Sequence, residues 1–163
     1  MLVTNHVLSG ALIGALVRRP VPAFLLGVAS HFALDMVPHY GDPGVDQRTF
    51  LKVAVPDGLA GLAAIAILAT AAAPAKRTAV LAGMAGAALP DLDKPSKLWF
   101  GRSPWPEAVN HFHGAIQNEA PERFTREMAT IAAFATVSLA AVVRDSRGPR
   151  GSRGRRVRPC REA

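Results

Sequence analysis

The stretch His31-Phe32-Ala33-Leu34-Asp35-Met36-Val37-Pro38-His39 gathers three groups able to ligate a metal at the end of an apolar run. On a helix, residues four apart project from one face a turn apart, so His31 and Asp35 make a chelating pair. Pro38 cannot continue the helix, and the residue before a proline is driven toward extended backbone. The helix is therefore expected to end near Val37, with His39 swinging back at its mouth. Imidazole nitrogens with a carboxylate oxygen suit zinc, or manganese or iron where the geometry opens. The competing reading is structural, with His31 and Asp35 as a hydrogen-bonded pair capping a buried helix end.

Short uncharged blocks must position these groups. A first helix is expected over 5–17, capped by Thr4 or Asn5, with Gly10 and Gly14 at the small-xxx-small spacing that lets membrane helices approach closely. It stops at Arg18-Arg19-Pro20, and a second restarts near Pro22, a favoured first-turn residue, to form an αα-hairpin. Residues 40–55 read as a polar loop, because Gly41, Asp42, Pro43, Gly44 and Asp46 argue against a long helix. A third helix opens at Pro56-Asp57 and runs uncharged to Ala73; a fourth runs from Thr78 to Leu89 and ends at the turn Pro90-Asp91-Leu92-Asp93-Lys94-Pro95. The segment 96–124 reads as irregular or weakly helical and holds Trp99 and Trp105, residues suited to a membrane interface. A fifth helix follows over about 125–143.

The expectation is thus an all-α protein: about five short hydrophobic helices in a membrane bundle over 1–143, polar loops on one side, and a disordered basic tail over 144–163. The blocks fall short of the ~20 apolar residues that cross ~30 Å of hydrocarbon, which leaves a soluble alanine-rich bundle as the competing architecture.

Charge placement narrows the function classes. Of the 19 lysines and arginines in the 163 residues, eight lie in the last twenty, so the rest of the chain carries 11 basic against 10 acidic groups. The body is near neutral, and the tail lacks the interleaved aromatics of a nucleic-acid binder, so it reads more simply as a topology anchor beside anionic headgroups. Half the residues are hydrophobic, mostly alanine, leucine and valine in uncharged blocks, as in a membrane protein. The single cysteine, Cys160, can form no internal disulfide, and the first apolar run lacks the basic start of a secretory signal. No Gly-x-Ser-x-Gly elbow, phosphate-binding Gly-x-x-x-x-Gly-Lys loop or Cys-x-x-Cys pair is present, which removes serine-hydrolase, nucleotide-hydrolase and thiolate-zinc chemistry.

If the five blocks cross alternately, the positive-inside rule puts Arg18-Arg19, Lys76-Arg77 and the tail in the cytoplasm. That side then holds 12 basic residues, and the other seven fall opposite. His6, His31, Asp35, His39, Asp57, Asp91, Asp93, His111 and His113 all land on the outer face, and they include all five histidines. One shared site explains this better than chance. Ionisable groups at membrane depth are costly, and a divalent cation would offset the repulsion among these carboxylates.

On these residues the chain resembles the YdjM-like inner-membrane family, small multi-helix membrane proteins described as metal-dependent hydrolases. The likeness covers roughly residues 4–119: His6 in the first helix, the carboxylate motif of the second, the Leu89-Pro90-Asp91-Leu92-Asp93 turn, and a histidine-containing segment after it, where this chain departs by reading Asn110-His111-Phe112-His113-Gly114 in place of the family's histidine, small turn and Thr-His pair. The His31–His39 stretch also looks like the His-aromatic-x-x-Asp motif of bacterial zinc-dependent phospholipases C. Where that pattern has histidine and glutamate four apart, this chain has His113 and Gln117, with Glu119 two further on.

The expected function is a membrane-embedded metal-dependent hydrolase in which the metal acidifies a water for attack on an ester or phosphodiester. Its metal, zinc first and manganese or iron otherwise, is drawn from His6, His31, Asp35, His39, Asp91, Asp93, His111 and His113. Asp57 or Glu119 would be the general base. Membrane lipid surrounds it, and the substrate is a small molecule or a lipid. The alternative is a non-catalytic membrane protein whose polar cluster binds a metal structurally or passes ions.

Overall fold

The structure is a computed structural model that describes residues 1–144; the disordered tail expected beyond them lies outside the described residues. Among the described residues the fold is all-α, in seven helices: α1 (Val3–Val17), α2 (Pro20–Met36), α3 (Gln47–Ala71), α4 (Pro74–Ala88), α5 (Asp93–Phe100), α6 (Glu107–Ile116) and α7 (Phe124–Val143). Two 3-10 turns, Leu89–Leu92 and Pro121–Arg123, lead into α5 and α7.

Two expectations about these elements are corrected. The loop expected over 40–55 gives way at residue 46. There the Asp46 carboxylate accepts the amides of Arg48 and Thr49 and caps α3, so the helix starts nine residues before Pro56 and runs through it. Pro56 removes one donor without ending the helix. The segment 96–124 is also more regular than expected, since it contains the end of α5 and all of α6. Gly101, at φ 68°, closes α5 with the left-handed residue that commonly ends a helix.

The organising packing is the passage of α4 between α1 and α2, with α7 and α3 flanking α1. Backbones touch there. A Cβ on Gly83 would stand 2.2 Å from the Gly10 carbonyl oxygen, and one on Gly14 would stand 2.3 Å from that of Ala79. The small-residue spacing in the first helix is therefore answered by a small-residue face on α4, as in close membrane-type packing. Val7, Leu8, Ala11, Leu68, Val80, Met84 and Val142 fill the core beside it.

The bundle has two chemically distinct ends. At one lie the Arg18–Arg19 link and the start of α4, where Lys76 donates to the Ala141 carbonyl of α7 and Arg77 to that of Ala72. At the other lie the start of α1, the end of α2, the turn after α4, and α6. The stretches Gln47–Ala71 and Pro121–Val143 are long and apolar enough to cross a membrane. Their apolar windows are 11 % and 17 % buried, so most of that surface faces outward.

Candidate metal centre

The site is assembled at the end opposite the basic links. His6 comes from the first turns of α1, His31 and Asp35 from the last turns of α2, Asp91 from the 3-10 turn, and His113 from α6. His6, His31 and Asp35 are fully buried, and Asp91 and His113 nearly so. Asp35 is the hub. Its Oδ1 lies 3.2 Å from His6 Nε2, and its Oδ2 lies 3.1 Å from His31 Nε2 and 3.0 Å from His113 Nε2. Asp91 Oδ1 stands 3.7 Å from the Nε2 atoms of both His31 and His113.

His31 Nδ1 is 2.7 Å from the Ala87 carbonyl, which can only accept, so Nδ1 donates there and the ring is held with Nε2 facing Asp35 Oδ2 and His113 Nε2. This is the arrangement by which a metal-binding histidine is oriented through its second nitrogen. His6 stacks on His31 at 3.9 Å, and neither of its ring nitrogens has a well-directed hydrogen bond among the described residues. Asp93 Oδ1 is likewise buried without one. Three triads, His6/His31/Asp91, His31/Asp35/His113 and Asp91/Asp93/His113, each hold their donor atoms within 4.8 Å of one another. Tetrahedral zinc bonds of about 2.0–2.2 Å imply donor separations of roughly 3.3–3.6 Å, a span bracketed by the 3.0–3.2 Å contacts of Asp35 and the 3.7 Å contacts of Asp91.

Around this centre lies a shell of groups that hold it. Gln117, one turn beyond His113, donates to Asp35 Oδ2 at 2.8 Å and faces His39 Nε2 with its carbonyl oxygen at 3.1 Å. The amino group of Met1 donates to Asp35 Oδ1 at 3.0 Å. Lys94 lies 2.8 Å from Asp91 Oδ1 and Lys97 lies 2.6 Å from Asp93 Oδ2. Burial alone would lower the Lys94 pKa, but the Asp91 carboxylate outweighs it and holds the ammonium above its ordinary value. Glu127 of α7, fully buried, accepts from the amides of Leu2 and Tyr40 and from Asn5 Nδ2, tying the start of α1 to the chain that leaves α2.

The remaining expected residues divide. His39 is buried but stands beside the centre and belongs to none of the three triads. Its backbone pairs with 118–120, its Nδ1 donates to the Val37 carbonyl, and its Nε2 lies 3.6 Å from Glu119. The hydrogen bond with His39 holds the Glu119 carboxyl below its ordinary value against the opposing effect of burial. His111 is a correction: on α6 it is exposed, on the side away from His113, and takes no part. Asp57 stands outside the three triads, and its carboxylate accepts the amides of Val3 and Thr4 at 2.7 and 3.2 Å and so caps α1. Glu127, Gln117 and Lys94 were not expected at the site. The signal for Glu127 was a single acidic residue beginning an otherwise uncharged run.

No family model matches the chain, and no curated protein or solved structure matches it.

Proposed function

We propose that this chain is a multi-pass membrane protein that holds a divalent cation among His6, His31, Asp35, Asp91 and His113 and hydrolyses an ester or phosphodiester. Zinc suits this donor set best, with manganese or iron as alternatives. On the motifs quoted above we group it with the YdjM-like hydrolases. The membrane part is supported by an inverted polarity: the interior holds Asn5, His6, His31, Asp35 and Glu127, while Leu16, Val21, Leu25, Leu59, Leu62, Ile67 and Val137 are exposed. The core helix of a soluble protein would be mostly buried, and α3 and α7 are not. With the positive-inside rule, the Arg18–Arg19 end and the tail are cytoplasmic and the centre lies toward the outer face.

The observation that carries the metal is the convergence of buried donor atoms: His31 Nε2, its ring held by the Nδ1 contact to Ala87, lies within 3.7 Å of Asp35 Oδ2, Asp91 Oδ1 and His113 Nε2. Once bound, a cation supplies Lewis acidity and a water acidic enough to ionise near neutrality. The chain's own contribution is to orient the His31 imidazole through Ala87 and to fix Asp35 through Gln117. Glu119, beside His39, is the carboxylate placed to take a proton at the edge of the centre.

Metal analysis of the detergent-purified chain, followed by hydrolysis assays of ester and phosphodiester substrates with zinc or manganese, tests this reading. Stoichiometric metal that is lost in His31→Ala, with turnover in wild type only, is the expected result. Metal retained without turnover of any substrate points to the non-catalytic, structural alternative, and no metal in wild type overturns both. A reporter fused after Ala163 should be active in the cytoplasm; activity only outside would reverse the orientation.

A further inference from the structure

The helices end at different levels around the centre, and the difference sets its depth. Asp57 of α3 touches the first turn of α1, so the part of α3 beside α1 runs from Asp57 to Ala71, about 21 Å at ~1.5 Å per residue. By the same measure His31 stands about 17 Å above Pro20, and Glu127 about 24 Å from Val143. The centre is therefore roughly 17–24 Å from the basic end, whereas hydrocarbon is ~30 Å thick, which leaves it roughly 6–13 Å from the opposite border. Only α3 continues past it: Gln47 to Pro56 rises about 15 Å further and carries Arg48 and Lys52.

At this end α5 runs on from the 3-10 turn after α4, and α6 packs on α2. Both are short and amphipathic, and both bring residues to the centre, Asp93 and His113. Their outer surface does not suit water. Trp99 and Phe100 are each 73 % exposed, Phe112 is half exposed, and Lys97 and Arg102 stand among them. Exposed aromatics mixed with basic residues on an amphipathic segment are the composition of a helix lying in a bilayer interface. A cleft of about 490 Å³ opens between Phe100, Arg102, Ser96, Ser103 and Pro104. Its hydroxyls are already committed, Ser96 to the Arg102 carbonyl and Ser103 to Asn110. The Arg102 guanidinium is paired with no carboxylate among the described residues, which leaves the cleft one unneutralised cation beside an aromatic wall. Ser96 and Phe100 lie three and seven residues beyond Asp93, on one helical face that leads from the centre to the cleft.

We propose that this cleft takes the phosphate of an anionic membrane phospholipid, with Arg102 as its partner and Trp99 and Phe100 among the upper acyl chains, so that the substrate of the centre is a lipid entering sideways from the leaflet. This rests on the reading of the chain as a membrane hydrolase and names the substrate class. The occupant is a lipid because the centre lies below the border and the cleft rim is apolar and aromatic. A soluble phosphate ester would have to cross that rim without its water.

Contact with lipid can be read without any turnover. In the full chain carrying Trp105→Phe, Trp99 is the single tryptophan, and it is reconstituted in vesicles of phosphatidylcholine or phosphatidylglycerol brominated at a shallow or a deep acyl position. Shallow bromines should quench Trp99 more than deep ones. Phosphatidylglycerol should quench more than phosphatidylcholine at equal mole fraction, with a preference of about fivefold for one basic residue facing an anionic headgroup. Arg102→Ala should abolish that preference and leave the depth profile unchanged. Quenching of Trp99 by aqueous acrylamide with none by bromolipid overturns the interfacial placement, and equal quenching by the two headgroups in wild type overturns the phosphate subsite. Loss of the preference on adding inorganic phosphate would assign the cleft to a soluble anion. Lipid contact as expected, in a protein without turnover, counts against hydrolysis alone.

Discussion

Asp35→Asn should weaken metal binding by about 100-fold while leaving the bundle assembled. The side chain keeps its size and one oxygen, but the charge that faces three imidazole nitrogens at 3.0–3.2 Å is gone. Residues that only support ligands change affinity by roughly 10–100-fold, so a group donating to the metal itself belongs at or above the upper figure. A 100-fold loss is about 2.7 kcal/mol at ~1.36 kcal/mol per tenfold. At a free zinc concentration about 1,000 times the wild-type Kd, zinc stabilises wild type by about 4.1 kcal/mol and the variant, then at about 10 times its Kd, by roughly 1.4 kcal/mol. With ~2–4 °C per kcal/mol for a chain of this size, the zinc-induced rise in Tm should shrink by about 5–11 °C. Thermal melts in detergent with and without zinc measure both rises side by side. Equal zinc-induced shifts in wild type and Asp35→Asn would refute the assignment of Asp35 as the hub.

His113→Ala should lower bound metal, whereas His111→Ala, two residues away on the exposed side of α6, should retain it; elemental analysis of the two purified variants decides, and equal loss would mean that α6 is turned differently. Gly83→Leu should prevent the close approach of α4 to α1, since even its Cβ would stand 2.2 Å from the Gly10 carbonyl oxygen; overpacking costs typically ~1–3 kcal/mol and backbone contact leaves little room to relax, so a native-like melt of this variant would contradict the packing. The depressed pKa of Glu119 means that its pairing with His39 contributes stability above the ordinary carboxylate range and loses it as the pH falls through the depressed value. Stability measured against pH should accordingly show an acid limb in wild type that is flattened in Glu119→Gln, with the two curves converging at the acid extreme; parallel curves would dissociate Glu119 from the acid response.

The architecture was legible where a single physical rule acts alone. Uncharged blocks between Arg18-Arg19, Lys76-Arg77 and the polar turns read as helices, and alternation put the histidines and aspartates at one end, where six of them meet. Gly10 and Gly14 announced a close neighbour without saying which; α4 supplies it through Gly83 and Ala79, a pairing that depends on tertiary geometry. The errors arose where two local rules compete. Turn formers over 40–46 and a proline at 56 argue for a loop, but Asp46 satisfies two amides at once, and a capped helix tolerates the single donor that Pro56 removes.

Helical phase explains what the site reading kept in excess. Residues two apart on a helix point about 200° from each other, so His111 and His113 cannot both face one centre once α6 exists. Reading 96–124 as irregular left both in the ligand set. The same phase places Gln117 one turn beyond His113, where an amide serves better than a carboxylate: its nitrogen donates to Asp35 while its oxygen faces His39. A glutamate there would set a second negative charge against Asp35 in a buried site, and only an additional cation would offset it. Glu119, two residues on and partly exposed, carries that charge instead at the edge of the centre, held by His39 and within reach of water.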